Sequence, residues 1–316
     1  MYQHVQLIQK AQALGITTID LSQLMQKPAT ILEYNGISEL IVEGVPASRI
    51  NVRSQYYCDN KQLTKLAFEA LHLPHPRSIV FQMADEAQVA AFFRDGKTYV
   101  CKPLDGTNGD GIVTHIRDLE TVKKYYQEHK YLNTRFLLEE QVEGEDLRIQ
   151  VLDGKIAAAC VRQPAFVLGN GKDSLEILIE KRRAVMRTQN PGNRLDIDSA
   201  TETILSQQGI SLPAVPKENQ KIQLKFVSNM AQGGIATDVT DDIHTFYNDW
   251  VNALSAYLCT SYFGLDIMTT DYTQDPHFHA SVLEINARAE WLHHTFSERK
   301  THDIAGMILK SIFGID

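Results

Sequence analysis

Between two apolar, strand-like runs the chain carries VCKPLDGTNGDGIV, residues 100–113. Gly106, Gly109 and Gly111 let backbone N–H groups approach an anion closely, and Lys102 adds a positive charge at the end of the first run. No GK[ST] closes the loop, so it is not a Walker A sequence. The run that follows reads as a strand over 113–116, so it does not open a helix as a dinucleotide-binding GxGxxG does. What is left is a strand–loop–strand unit whose loop either covers phosphate or is simply a long hairpin connection.

The elements around this unit change type repeatedly. The first fifty residues read as a small α/β piece, with a helix over 5–14 and apolar runs at 17–21, 30–34 and 40–42. Leu63, Leu66, Ala67, Ala70 and Leu71 recur at helical spacing within 59–73. Asp59 is suited to cap that helix, and Pro74 and Pro76 to close it. A second lobe is expected from a strand at 78–81, a helix at 85–94, strands at 98–104 and 113–116, a helix at 119–129 and a strand at 135–142. Beyond it, Asp153-Gly154 between two apolar runs is a strong hairpin turn signal. A strand at 220–227, a helix at 242–263 ending at Gly264, strands at 265–270 and 280–285 around an Asp275-Pro276 turn, and a last helix at 303–313 complete the pattern. The class is α+β. The expected division is 1–55 (N-terminal α/β lobe), 56–139 (central lobe) and 140–316 (antiparallel C-terminal domain).

Composition narrows the function. A chain of 316 residues with 43% apolar and 22% charged residues can bury a large core. A formal net charge of −8 argues against a broad nucleic-acid footprint, which needs clustered Lys and Arg. The opening residues lack the basic and apolar regions of a signal peptide, and no stretch approaches the roughly 20 apolar residues that span a bilayer. Cys58, Cys101, Cys160 and Cys259 show no CxxC spacing and read as free, buried thiols. No membrane partner is expected, the expected compartment is the cytoplasm, and nothing in the composition bars a homodimer.

Three further segments hold residues able to do chemistry. In SVLEIN, Glu284 and Asn286 are two apart on a strand, so both side chains leave one face. GLDIM places Asp266 on a strand able to pair with it. Two carboxylates and an amide oxygen suit a hard cation such as Mg²⁺; three surface polar residues are the plain alternative. FLLEEQVEGEDLRIQV carries Glu139, Glu140, Val142, Asp146 and Arg148. It reads equally well as a nucleotide-reading strand or as a charged linker. QLKFVSNMAQGGIATDVTDDI carries Lys225, Asn229, Gly233-Gly234, Asp238 and Asp241. A cation there could stabilise a transferring phosphoryl group, while Asp241 or Asp242 reads as a helix cap. GNGKD at 169–173 is more simply a tight turn. His293, His294 and His302 lack the HExxH pattern, so no zinc site is expected, and there is no GxSxG nucleophile elbow.

Taken in order, these segments resemble the ATP-grasp superfamily over nearly the whole chain. The likeness is to the ligase half of bifunctional glutathione synthetases and the ATP-grasp region of cyanophycin synthetases. DNKQLTKLAFEALHLPHP resembles an NKxxTK helix followed by proline, and VCKPLDGTNGDGI resembles a VKPxxxNxGxG loop. GEDLRIQVLDGKIAAACVRQPAFVLGNGKDSLEILIE and FVSNMAQGGIATDVTDDI resemble further stretches of both. The resemblance implies an ATP-grasp fold and an ATP- and Mg²⁺-dependent ligase. Such an enzyme phosphorylates a small carboxylate and joins it to an amine, forming ADP and an amide. It also implies residue roles. Lys61 and Lys102 would contact the ATP phosphates beneath a lid of Gly106, Gly109 and Gly111. Glu139 and the backbone near Val142 would read adenine, and Asp146 would hold the ribose. Lys225 would meet the γ-phosphate, and Asp266, Glu284 and Asn286 would hold Mg²⁺. Arg148, Asn229, Gly233, Gly234 and Arg288 would face substrate. Ala231-Gln232 departs from the family's Ser-Thr, and NARAEWLHH from its NxxP, in the acceptor region. Arg288 and Trp291 are therefore expected either to line that pocket or to form a surface ion pair and core packing. A ligase acting on a protein or peptide terminus and a non-catalytic nucleotide-binding module are the rival functions.

Overall fold

Asn51 and Asn60 each start a helix. The Asn51 side chain accepts from the Ser54 N–H at 2.8 Å, and Asn60 accepts from the N–H groups of Gln62 and Leu63. The result is two helices, Val52–Asp59 and Lys61–Ala70, in place of the single cap at Asp59 that the sequence suggested. Asp59 ends the first helix, and its neighbour caps the second. The structure, a computed structural model, describes residues 2–82, 85–104, 111–131 and 135–315. Its chain divides into two compact units, each discontinuous in sequence: Met1–Arg49 with Ala157–Thr240 and Glu290–Asp316, and Ile50–Ile156 with Asp241–Ala289.

In the second of these units, four antiparallel strands run in the order Ser78–Phe81, Phe136–Glu140, Tyr99–Pro103, Val113–Ile116. Side chains alternate across them. Phe81, Tyr99, Cys101, Phe136 and Leu138 face a core completed by Val89 and Phe92 of helix Glu86–Phe92 and by Val122 and Tyr125 of helix Leu119–His129. The same alternation sends Lys102 and Glu139 to the opposite face. A second antiparallel group sets Phe263–Thr269 between Glu145–Leu152 and Ala280–Asn286. Asp153 and Gly154, at φ 53° and 70°, form the turn expected from that dipeptide.

Two expectations in this unit need correction. The helix predicted over 242–263 is Tyr247–Leu258, buried along Tyr247, Trp250, Val251, Leu254 and Leu258. Asp241 and Asp242 lie in the turn before it and do not cap it; its N-cap is Phe246, without a side-chain bond, and Cys259 at φ 53° ends it. Asp275 starts a short helix, Pro276–His279, where a simple turn was expected.

In the first unit, Thr17–Asp20, Ala29–Tyr34, Ile37–Val42 and Val45–Pro46 form an antiparallel meander. Helix Tyr2–Ala13 packs on helix Ile304–Phe313, which Asp303 caps through the Gly306 N–H. Trp291 is fully buried here and donates from Nε1 to the Gly44 carbonyl at 2.9 Å. It is a core residue, not a pocket wall. Strand Ile235–Asp238 pairs with residues 160–163. The ladder Phe166–Leu168 with Lys221–Gln223 is covered by Leu175, Leu178, Ile179 and Met186 of helix Leu175–Gln189 and by Leu205 of helix Ser199–Gln207. The strand expected over 220–227 stops at Gln223, so Lys225 lies beyond its end. Of the cysteines, Cys101 and Cys160 are buried and Cys259 is exposed.

Candidate functional site

Asp266 sits where two ladders cross. In strand Phe263–Thr269 it stands opposite Arg148 on one side and Glu284 on the other. Arg148 Nη1 donates to Asp266 Oδ1 at 2.7 Å, and Asn286 Nδ2 donates to Oδ2 at 2.8 Å. The Arg148 guanidinium is buried, and it lies along strand position 264. A Cβ at Gly264 would come within 2.4 Å of Nη2 and 2.5 Å of Cζ, so the absence of a side chain there is what makes room for the arginine. The expected trio of Asp266, Glu284 and Asn286 is brought together, and Arg148 belongs to the same group.

Burial pushes the Glu284 carboxyl above its ordinary range; the negative charge of Asp266 adds to this, and Lys61 opposes it. Two carboxylates and an amide oxygen are hard donors, and a divalent cation among them would relieve the carboxylate pair. The donor set fits Mg²⁺.

Helix Lys61–Ala70 supplies the opposing charge. Lys61 and Lys65 are one turn apart on its buried face, with Thr64 and Phe68. Lys65 lies 3.1 Å from Glu139 Oε2. Lys102 pairs with the other oxygen of Glu139, its diagonal neighbour in the strand ladder. Burial alone would raise the Glu139 carboxyl, but Lys102 and Lys65 outweigh it and hold the group below its ordinary value. Burial likewise lowers Lys65, against the pull of Glu139. Lys65 is one residue that the sequence reading leaves out. The signal was present, since Lys61 and Lys65 are i, i+4 on a capped amphipathic helix.

The remaining nucleotide candidates follow along the chain. Gly106 and Gly109 lie outside the described residues. Gly111 is at φ 70°, and its carbonyl accepts from the Tyr125 hydroxyl at 2.8 Å. Val142 is in the connection between strands Phe136–Glu140 and Glu145–Leu152, and Asp146 is half-buried opposite Met268. Gly144, at φ 145°, presses against the Thr269 carbonyl, which a Cβ would approach to 2.3 Å. Arg288 lies 3.6 Å from Asp59, with both side chains more than half exposed. This is the surface ion pair that was one of its two expected roles.

Lys225, Asn229, Gly233 and Gly234 belong to the other compact unit. Lys225 is buried and held 2.6 Å from Asp198 Oδ2. Asp198 is exposed; its slight desolvation alone would raise it, but the bonds from Lys225 and Thr201 bring its carboxyl down to about 2. Asn229 caps a single 3₁₀ turn, Met230–Gln232, and Gly233 closes it at φ 94°. Asp238 is buried against His302 at 2.7 Å. Beside this turn, Arg183, Arg187, Asn193, Arg194 and Asp196 line a cavity of about 390 Å³ together with Met186 and Leu195, both of which also approach Gly233. Asp198 and this arginine cluster were not singled out from the sequence.

A family model described as an ATP-grasp domain matches residues 58–290. Cyanophycin synthetase of Trichormus variabilis is 30% identical over 266 residues, covering 81% of this chain and 29% of that protein. A bifunctional glutathione biosynthesis protein of Mannheimia succiniciproducens is 24% identical over 296 residues, covering 89% of this chain and 39% of the relative. The chain thus spans well under half the length of the curated relatives it matches. The crystal structure of a bifunctional glutathione synthetase from Pasteurella multocida superposes with a TM-score of 0.72 at 22% identity, covering 99% of this chain and 43% of the other.

Proposed function

The chain belongs to the ATP-grasp domain family, and on that footing we propose that it is an ATP-dependent ligase that activates a carboxylate as an acyl phosphate and joins it to an amine. The observation that carries the reading is Asp266 with Glu284, Asn286 and Arg148 around it, backed by Lys61, Lys65 and Lys102. A carboxylate is a poor electrophile because substitution must expel an oxide. Phosphoryl transfer replaces that leaving group with phosphate, and the demand on the protein is then positioning and charge stabilisation. Asp266, Glu284 and Asn286 would hold Mg²⁺, which when bound neutralises charge on phosphate oxygens.

The other assignments rest on the family resemblance. Lys61 and Lys102 are set toward the phosphates, Glu139 and the Val142 backbone toward adenine, Asp146 toward the ribose and Lys225 toward the γ-phosphate. Arg148, Asn229, Gly233 and Gly234 are set toward substrate. The substrates are amino acids or small peptides, and the arginine-lined cavity beside Gly233 is suited to an anionic group. Among the described residues no helix is long and apolar enough to cross a membrane, and a cytoplasmic location is part of the proposal.

Incubation with ATP, Mg²⁺, hydroxylamine and a panel of amino acids and dipeptides tests it. An acyl phosphate captured by hydroxylamine yields hydroxamate and ADP in equal amounts. ATP binding by calorimetry with no ADP released on any carboxylate would instead mark a nucleotide-binding module.

A further inference from the structure

We propose that Cys160, His293 and His294 form a site for a borderline metal ion, with Zn²⁺ as the first candidate, separate from the Mg²⁺ donors and independent of the ligase reading. The ligating atoms of the three residues lie within 4.8 Å of one another, and all three side chains are buried. Thiolate sulfur and imidazole nitrogen are the donors that Zn²⁺ selects, whereas Mg²⁺ takes oxygen. With Zn–S about 2.3 Å and Zn–N about 2.0–2.1 Å, tetrahedral donors stand roughly 3.3–3.6 Å apart, so ligation asks for a contraction of up to about 1.2–1.5 Å.

The backbone already delivers the groups. Cys160 is fixed in a strand ladder opposite Asp238, and the two histidines sit on the short 3₁₀ turn Leu292–Thr295 with ring centroids 4.3 Å apart. His293 Nδ1 is held 2.7 Å from Glu290 Oε2. A carboxylate on one imidazole nitrogen fixes the tautomer and raises the basicity of the other, the usual support behind a ligating histidine. Three protein ligands leave the fourth position to water. The sequence could not show this site, because its third member comes from a strand more than a hundred residues away. His302, grouped with the other two by proximity in sequence, pairs with Asp238 instead. The bound ion would tie the turn at 292–295 to strand residue 160 within one compact unit.

Because the site is buried, the metal is expected to enter during folding. The full chain is therefore expressed in minimal medium supplemented with zinc, or with cobalt in its place, and washed with a mild chelator. The expected result is metal stoichiometric with the chain by elemental analysis. The cobalt form should also show a thiolate-to-metal charge-transfer band. Cys160→Ser should remove the band, His294→Gln should lose the metal, and Glu284→Ala should keep both. The cobalt band is read on the unaltered protein, so it remains decisive even if a variant fails to fold. A chain purified without metal and without that band overturns the proposal. So does metal that Cys160→Ser retains.

Discussion

Gly264→Ala probes whether Arg148 is held in place by the missing side chain beside it. The added Cβ would stand 2.4–2.8 Å from three guanidinium atoms of an arginine that is only 4% exposed. Backbone strain is not the issue, since glycine in a strand is ordinarily the weaker choice by about 0.5–1 kcal/mol. The guanidinium must move, and its 2.7 Å bond to Asp266 goes with it. A hydrogen bond between charged groups contributes about 1.5–3 kcal/mol. Offsetting the strand gain leaves a net loss of roughly 1–2 kcal/mol, a fall in melting temperature of about 1.5–3 °C for a chain of this size. Thermal unfolding of Gly264→Ala, Arg148→Met and the double variant measures this directly. If the clash acts on Arg148, the alanine costs nothing once the arginine is gone, and the two losses are strongly non-additive. Additive losses, or a Gly264→Ala protein as stable as the parent, would refute the argument.

Four other outcomes follow from the site. Glu284→Ala should abolish Mg²⁺-dependent ADP release while circular dichroism is unchanged; near-normal turnover would remove Glu284 from the metal set. Lys102→Met should weaken ATP binding or phosphoryl transfer, checked by calorimetry and single-turnover kinetics. Lys65→Met should cost about 1–3 kcal/mol in urea unfolding, less than the 3–5 kcal/mol of a fully broken buried pair because Lys102 still faces Glu139. Asp198 gives a pH test: its carboxyl sits near 2 against an ordinary 3.8, so its contribution is present above about pH 4 and is lost as pH falls toward 2. Acid unfolding of Asp198→Asn should therefore be less steep in that window than that of the parent, and an unchanged curve would show the Lys225 bond to be without effect.

What could be read from the sequence was local. The strand over 113–116, the helix over 119–129 and the Asp153-Gly154 turn depend on periodicity and turn chemistry within a few residues, and the structure has them at those positions. The pairing of Glu284 and Asn286 on one strand face was legible for the same reason. Illegible features were those settled by neighbours distant in sequence or by competition between adjacent residues. Asp59 and Asn60 are both good caps, and the choice went to Asn60 because the preceding helix already uses Asp59. The helix at 247–258 ends at Cys259 in a left-handed conformation without the glycine that usually marks such an end. Lys65 shares a helix face with Lys61, but its role shows only once Glu139 is placed opposite it. Trp291 reads equally as a pocket wall or as core until the Gly44 carbonyl is found at its indole nitrogen.

The charges gathered in this one unit also bear on which ligand they suit. Asp266, Glu284 and Glu139 are met by Arg148, Lys61, Lys65 and Lys102, four cations against three carboxylates. Asp266 already has both oxygens engaged, one by Arg148 and one by Asn286, and Glu139 is shared between two lysines. Glu284 is the exception. Its carboxyl is raised by burial and by Asp266, so it is the group with most to gain from a divalent cation. Adding Mg²⁺ to a cluster that already carries a surplus positive charge would be self-defeating unless an anion arrived with it. A magnesium–polyphosphate complex meets both demands at once, because the metal relieves Glu284 and the phosphates take up the lysines. Phosphate alone would leave Glu284 unrelieved, and the metal alone would add to the excess. Metal and nucleotide should therefore bind with positive coupling, each raising the affinity of the other by the same factor.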